Sequence, residues 1–279
     1  MNPPKIALIT GATGGIGYAT AHHLIGAGWH VWGAGLPNDD FTPLQKLGAH
    51  PLAMDITDEA HVQQGFARIY ATHGRLDALV NAVGVQAPAP LEHLPIDALE
   101  RTLAVNVGGH LRVVQHALPL LKSSKGRVVA VSSLMGRVAF PLLGAYSMSK
   151  HALEAMCDVL RLELAPFGVA VCVVAMGAVD TPMTHNMHAL LEHARATHPE
   201  AHDYDALYNA LEQTLAQQAQ RAITPHAVAN AIVQVLNARA PKPRVVVDTP
   251  TLGLTLLRRL APLQVADRIL ARALRLHLP

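Results

Sequence analysis

Tyr146 and Lys150 stand four residues apart, so on a helix they share one face with their Cβ atoms about 5–6 Å apart. Ser133 precedes the tyrosine by 13 residues, where a β-rich run ends. Side chains of these three types can move a proton. Reducing a ketone needs an acid beside the oxygen while hydride reaches the carbon, and oxidation needs the reverse. A phenol with an ordinary pKa of about 10 is a poor base at neutral pH. A nearby ammonium favours the phenolate, and a serine hydroxyl can hold the substrate oxygen. Tyr-x-x-x-Lys alone is also a common pair on exposed helices. It gains meaning here from what stands around it.

A hydride source is suggested by Thr10-Gly11-Ala12-Thr13-Gly14-Gly15-Ile16-Gly17, which follows the first β-rich run and opens a helical stretch. Glycines in such a turn let the backbone approach a pyrophosphate, which then meets the free N–H groups and positive end of the helix. The bland alternative is a tight strand–helix connection. Asp55-Ile56 can meet an adenine amino group, Asn81-Ala82-Val83-Gly84 puts small residues beside a ribose, and Thr181 can hold a carboxamide. Each is an ordinary turn or cap residue taken alone. All fall at carboxyl ends of strands, where open α/β sheets bind ligands. An oxidised nicotinamide bound there adds a second positive charge to favour the phenolate.

These positions require a frame. Strands are expected at Ile6–Ile9, His30–Gly33, His50–Met54, Ala78–Asn81, Arg127–Ser132, Val169–Ala175 and Arg244–Val247. Amphipathic stretches such as Glu59–Thr72, Ile96–Lys122 and Tyr146–Pro166 lie between them. The alternation predicts a Rossmann-like, doubly wound α/β fold: one domain over residues 1–279, with seven parallel strands and helices on both faces. Thr224 and Pro225 read as the N-cap and first turn of the helix before the last strand. A polar helical segment at about 182–222 is expected as a lid over the carboxyl edge, and about 251–279 as two short helices split by Pro262.

Half the residues are apolar and the formal net charge is +2, which gives a sizeable core and no electrostatic footprint for nucleic acid. Cys157 and Cys172 have no metal-type or disulfide-framework spacing. The apolar runs are too short for a membrane span, and the opening residues lack the pattern of a secretory signal, so a cytoplasmic protein is expected. Among 17 histidines, His185, His188, His193, His198 and His202 crowd the lid. No cysteine or carboxylate arrangement completes a ligand set with them, and no metal is expected.

Taken together, the chain resembles the short-chain dehydrogenase/reductase family over nearly its whole length. The matching motifs are Thr10-Gly-x-x-x-Gly-Ile-Gly17, Asp55, Asn81-Ala-Val-Gly84, Asn106, Ser133, Tyr146-x-x-x-Lys150 and Met176-Gly-Ala-Val-Asp-Thr181. The resemblance implies that Tyr146 is the acid/base, that Ser133 orients the carbonyl, and that Lys150 also binds the nicotinamide ribose. It implies that Asn106 holds a water in a proton relay to Lys150, and that Gly177 and Val179 join the cofactor contacts. From the residues alone, Asn106 is only a mid-helix amide that wants a partner. Two departures stand out: Asn81-Ala82-Val83-Gly84 replaces the usual Asn-Asn-Ala-Gly, and Met176-Gly177 replaces Pro-Gly.

The second strand ends in Gly33-Ala34-Gly35-Leu36, with neither the acidic residue that binds a ribose diol nor an arginine for a 2′-phosphate. No basic residue stands at Thr13 or Gly14 either, so NAD is expected and NADP is not excluded. Asp39 and Asp40 are close enough in sequence to add negative potential there, and read more readily as a solvated loop. Leu134, Met135, Val138, Ala139, Phe140, Leu142 and Leu143, with Met183, Met187 and Leu190, predict either an apolar pocket or ordinary packing. The tail around Pro241-Lys-Pro-Arg244 is similar to that of family members acting on steroids and retinoids, which implies a hydrophobic secondary alcohol or ketone as substrate. Arg268, Arg272 and Arg275 fall on one helical edge, suited to an anionic membrane surface or to solvent. The resemblance also implies a homodimer or homotetramer paired through the helices of Asn106 and Tyr146. The other reading is a non-catalytic nicotinamide-sensing regulator on the same fold. A triphosphate hydrolase lacks its Gly-Lys-Ser/Thr here.

Overall fold

The computed structural model describes residues 3–197 and 199–273. Seven strands, β1 (Ile6–Thr10), β2 (His30–Gly35), β3 (His50–Ala53), β4 (Ala78–Asn81), β5 (Arg127–Val131), β6 (Ala170–Ala175) and β7 (Arg244–Val246), form one sheet. All pairs are parallel, in the order β3-β2-β1-β4-β5-β6-β7. The strands read as nearly continuous Val, Ile, Leu and Ala because both faces are covered. On one face α1 (Gly15–Gly26), α2 (Thr42–Leu47) and α10 (Pro225–Asn237) bury Leu24, Leu44 and Ile232 against Ile9, Val129 and Val174. On the other, α3 (Glu59–His73), α5 (His110–Ser124) and α6 (Gly144–Leu164) pack Ile69, Leu121 and Leu153 on Leu8, Leu79 and Val171.

The expected helix Ile96–Lys122 is interrupted. It comprises α4 (Ile96–Leu103), a π-helical stretch Ala104–Gly109, and α5. The wider turn of a π-helix re-aims a side chain, and such bulges often mark functional sites. Asn106 lies in this one.

The lid consists of α7 (Pro182–His185), α8 (Met187–Thr197), a short 3₁₀ turn and α9 (Asp205–Ala219). Thr224 caps α10 as expected, its hydroxyl accepting from the Ala227 N–H at 3.2 Å, with Pro225 in the first turn. The tail forms α11 (Thr249–Leu260) and α12 (Leu263–Ala273), broken at Pro262. Asp248 caps α11 through the Thr251 N–H and also accepts from the Gly177 N–H at 2.8 Å, which ties the tail to the end of β6. Arg275 and Leu276 of the tail, and His198 of the lid, lie outside the described residues.

Candidate active site

Strand order reverses between β1 and β4, and a cleft of about 460 Å³ opens at their carboxyl ends. It is lined by Gly11, Thr13, Gly14, Gly15, Ile16 and Gly17 after β1, by Asp55 and Ile56 after β3, by Ala82, Val83 and Gly84 after β4, and by Thr181 after β6. The glycines answer two demands. Gly11 holds φ at +67°, and a Cβ on Gly17 would collide with the Gly11 carbonyl. Gly14 is the N-cap of α1 and supplies no capping side chain, so the helix's positive end faces the cleft unneutralised. Thr181 lies across this turn: its Cγ2 is 2.9 Å from where a Cβ on Gly15 would stand. A cleft with a bare helix N-terminus at one end and Asp55 at the other fits a dinucleotide.

Three expected contacts are placed elsewhere. Asn81 is 1% exposed; its Oδ1 accepts from Thr10 Oγ1 at 3.2 Å, and its amide donates to the His110 carbonyl at 3.4 Å, so it ties β1 to α5. Gly177 is occupied with Asp248, and the Val179 carbonyl accepts the Thr181 and Thr184 hydroxyls. None of the three lines the cleft, and neither do Ser133, Tyr146 and Lys150. Asp55 does, with one carboxylate oxygen engaged by the N–H and hydroxyl of Thr57.

Ser133, Tyr146 and Lys150 are brought together as their spacing predicted. Ser133 Oγ lies near enough to the Tyr146 phenol to favour its ionised form and accepts from the Met135 N–H at 3.2 Å. The Lys150 ammonium stands 5.5 Å from the centre of the Tyr146 ring and donates to the Val131 carbonyl at 3.0 Å. Lys150 is 3% exposed, and burial pulls it down to about 8. Burial pushes the Tyr146 phenol up to about 12, with the Ser133 hydrogen bond acting the other way. Burial thus moves the phenol in the direction opposite to that expected from the ammonium.

Asn106 finds three partners. Its amide donates to the Val85 carbonyl at 2.8 Å and to Ser149 Oγ at 2.9 Å, while its Oδ1 accepts the Val85 N–H at 2.8 Å. Ser149 in turn donates to the Tyr146 carbonyl, so the π-helix, the loop after β4 and the tyrosine's own helical turn are joined.

Sequence reasoning missed several groups. His110 is fully buried, one turn beyond Asn106, and donates through Nε2 to the Val83 carbonyl at 2.9 Å. Burial and the Lys150 charge lower it to about 3, which keeps it neutral. Glu154, one turn after Lys150, is buried beneath the loop that carries Ser133. It accepts from Ser132 Oγ and from Arg244 Nε, each at 3.0 Å, and pairs with Arg137. Asp39, read as solvated loop, folds back to the cleft and accepts from Thr13 Oγ1 at 2.7 Å and from the Leu36 N–H at 2.8 Å. The i, i+4 spacing from Asn106 to His110 and from Lys150 to Glu154 was the available signal. Asp39 was marked only by its nearness in sequence to the end of β2.

Residues 5–191 match the short chain dehydrogenase family. The chain belongs to the short-chain dehydrogenase/reductase family. It is 30% identical, over 97% of its length and 98% of the relative's, to an NADPH-dependent 3-dehydrocapnine reductase of Ornithobacterium rhinotracheale. It is 40% identical to a 3-amino-tetrahydro-pyrrolizinone reductase of Xenorhabdus hominickii across 64% of this chain, spanning only 63% of that protein. A short chain dehydrogenase from Burkholderia cenocepacia, solved with NADP, superimposes with a TM-score of 0.74 at 24% identity, covering 99% of this chain and 98% of that one. The chain is thus a nicotinamide-dependent oxidoreductase of this family acting on a small molecule. Among its described residues no helix is long and apolar enough to cross a membrane.

The residues expected to form an apolar pocket are already covered. Leu134, Val138, Phe140, Leu142 and Leu143 pack against Met187, Leu191 and Tyr208 of the lid. Only Met183 of that set lines the cleft, 3.5 Å from where a Cβ on Gly84 would be. The lid histidines pair with acids: His185 with Asp180, His188 with Glu192 and Glu212, and His202 with Asp203.

Proposed function

We propose that this protein reduces a hydrophobic ketone to the secondary alcohol, with Tyr146 as the proton donor. The observation that carries the reading is the convergence of Ser133, Tyr146 and Lys150, with the Lys150 ammonium 3.7 Å from where a Cβ on the cleft-lining Gly84 would stand. A phenol that stays protonated at neutral pH is an acid ready to donate, which suits reduction. A bound nicotinamide supplies the hydride. Ser133 holds the carbonyl oxygen within reach of the phenol, and Lys150 stabilises the negative charge left on Tyr146 as the proton departs. Gly11, Thr13, Gly14, Gly15, Ile16 and Gly17 would hold the pyrophosphate, Asp55 and Ile56 the adenine, Ala82 and Val83 the ribose, and Thr181 the carboxamide. Asn81, Gly177 and Val179 would act from behind, by shaping the loops on which those contacts sit.

The relay role for Asn106 is supported by Gly84. A Cβ there would stand 3.7 Å from Lys150 Nζ and 3.8 Å from Asn106 Oδ1, so its lack leaves room for a water between them. NAD is the cofactor we assign, since the Asp39 carboxylate at the end of β2 repels a 2′-phosphate. The 3-dehydrocapnine reductase is NADPH-dependent, and Arg101, the one cation lining the cleft among the described residues, would favour that cofactor here. The sensor reading has no support of its own: the proton-handling set is complete.

The exposed Met148, Val159 and Leu162 on α6 support pairing of two copies through that helix. In the tail, Leu252, Leu256, Leu260, Leu263, Val265 and Ile269 are exposed beside Arg258, Arg259, Arg268 and Arg272. We assign this face to an anionic membrane surface, from which a lipophilic substrate would be drawn.

Turnover of NADH with a panel of hydrophobic ketones tests the main reading. Tyr146→Phe is expected to bind NADH as the natural protein does and to lose about 10²–10⁴-fold in reduction rate. Full activity in that variant would remove Tyr146 from the role.

A further inference from the structure

Three histidines that the sequence gave no reason to group meet at the seam between α1 and α10. His22 and His23 come from the later part of α1, and His226 from the first turn of α10. One ring nitrogen from each lies within 4.8 Å of the other two. The His23 Nε2 and His226 Nδ1 atoms are 3.1 Å apart, and the ring centroids are separated by 5.3 to 5.7 Å. His22 and His226 are exposed and His23 is half-buried.

We infer that His22, His23 and His226 form a zinc-class metal site that clamps α1 to α10, with water in the fourth position. Zinc takes imidazole nitrogens at about 2.0–2.1 Å in tetrahedral array, which sets two ligand nitrogens about 3.3–3.4 Å apart. The His23–His226 pair is already close to that separation. His22 needs to close from at most 4.8 Å, and its exposure lets it change rotamer at little cost. Imidazole suits zinc, copper and nickel, whereas magnesium and calcium prefer oxygen.

The carboxyl end of α1 attracts a cation and the amino end of α10 opposes it, which leaves the binding to the three donors themselves. The lid histidines differ, since they are engaged singly with carboxylates.

The position has a structural consequence. Pro225 precedes His226, and its ring lies 3.5 Å from where a Cβ on Gly15 would stand. A metal here would fix α10 against the helix whose first turn forms the phosphate-binding loop.

The test uses the full-length, tag-free protein, stripped with a chelator and titrated with ZnCl₂ by calorimetry and with CoCl₂ by visible absorption. One tight zinc equivalent is expected, with the intense d–d bands of four-coordinate cobalt. His226→Gln and His22→Gln should each weaken zinc binding at least tenfold and abolish those bands. His185→Gln with His188→Gln on the lid should leave both unchanged. Zinc should also raise the melting temperature of the natural protein, and not that of His226→Gln. Equal zinc affinity in natural protein and His226→Gln, loss of binding only in the lid variant, or weak octahedral cobalt bands would each overturn the assignment. Circular dichroism of the variants separates loss of ligands from loss of fold.

Discussion

Asp39 Oδ2 accepts the hydroxyl of Thr13 at 2.7 Å, so the phosphate turn and the segment after β2 share one carboxylate at the cleft's mouth. Two unit charges about 4 Å apart near a protein surface interact by roughly 4 kcal/mol before solvent and salt reduce it. Asp39→Ala is therefore expected to improve NADPH binding relative to NADH by about tenfold or more. Fluorescence titration of both nucleotides at matched ionic strength measures it. Tighter binding of NADPH by the unaltered protein would refute the NAD assignment and leave the fold and proton chemistry as they are.

With Tyr146 as the proposed acid/base, its protonation should set the pH behaviour of the two reaction directions. Reduction needs the phenol, which is present throughout the neutral range when its pKa is about 12. Oxidation needs the phenolate, whose population rises tenfold per pH unit below that value. Steady-state rates from pH 6 to 9 should be nearly flat for reduction and climb steeply for oxidation. A bound oxidised nicotinamide brings the phenol down, so the oxidation curve should level off below pH 12. Two flat profiles would be incompatible with Tyr146 as the titrating group.

Lys150 makes stability depend on pH in a defined direction. Folded, it loses its proton at about 8; unfolded, at its ordinary 10.5. Between those values the unfolded chain holds more protons, so stability rises with pH across the window. Below it the full cost of the buried charge is present, on the order of 3 kcal/mol. Lys150→Met should be more stable than the natural protein at pH 7 and should lose most of that advantage by pH 9.5. Tyr146, raised above its usual 10, pulls the opposite way only beyond that range. Urea denaturation at the two pH values decides the matter, and an unchanged difference would show that Lys150 keeps its ordinary proton affinity in the folded protein.

Helix α11 is apolar on two sides: Leu254 and Leu257 line a small cavity with Val138 and Leu270, while Leu252, Leu256 and Leu260 face outward. Sedimentation with vesicles of anionic lipid should carry the protein down, less so as salt rises, and vesicles of neutral lipid should not. Leu256→Glu with Leu260→Glu should release it while leaving the melting temperature within a few degrees. Equal recovery in the supernatant with both lipids would exclude the membrane reading, and a dimer dissociated by the same pair would assign the face to a second copy.

The parallel sheet was legible because strands buried on both faces have to be apolar throughout, and residues such as Val128–Val131 or Val171–Val174 allow little else. The pairing of Tyr146 with Lys150 was legible for a local reason: a helix puts residues four apart on one face, and the two needed nothing more than α6 to meet. Chemistry that depends on contacts distant in the chain left no such periodic trace. Asp39 reaches Thr13 across 26 residues, Asn106 reaches Ser149 across 43, and His23 reaches His226 across 203. Even the phenol's proton affinity fell in this second class, because the sequence shows the ammonium beside it and not the burial that raises it. Spacing along the chain fixes which neighbours share a helical face; only the packed fold sets which distant groups share a dry space, and desolvation depends on the latter.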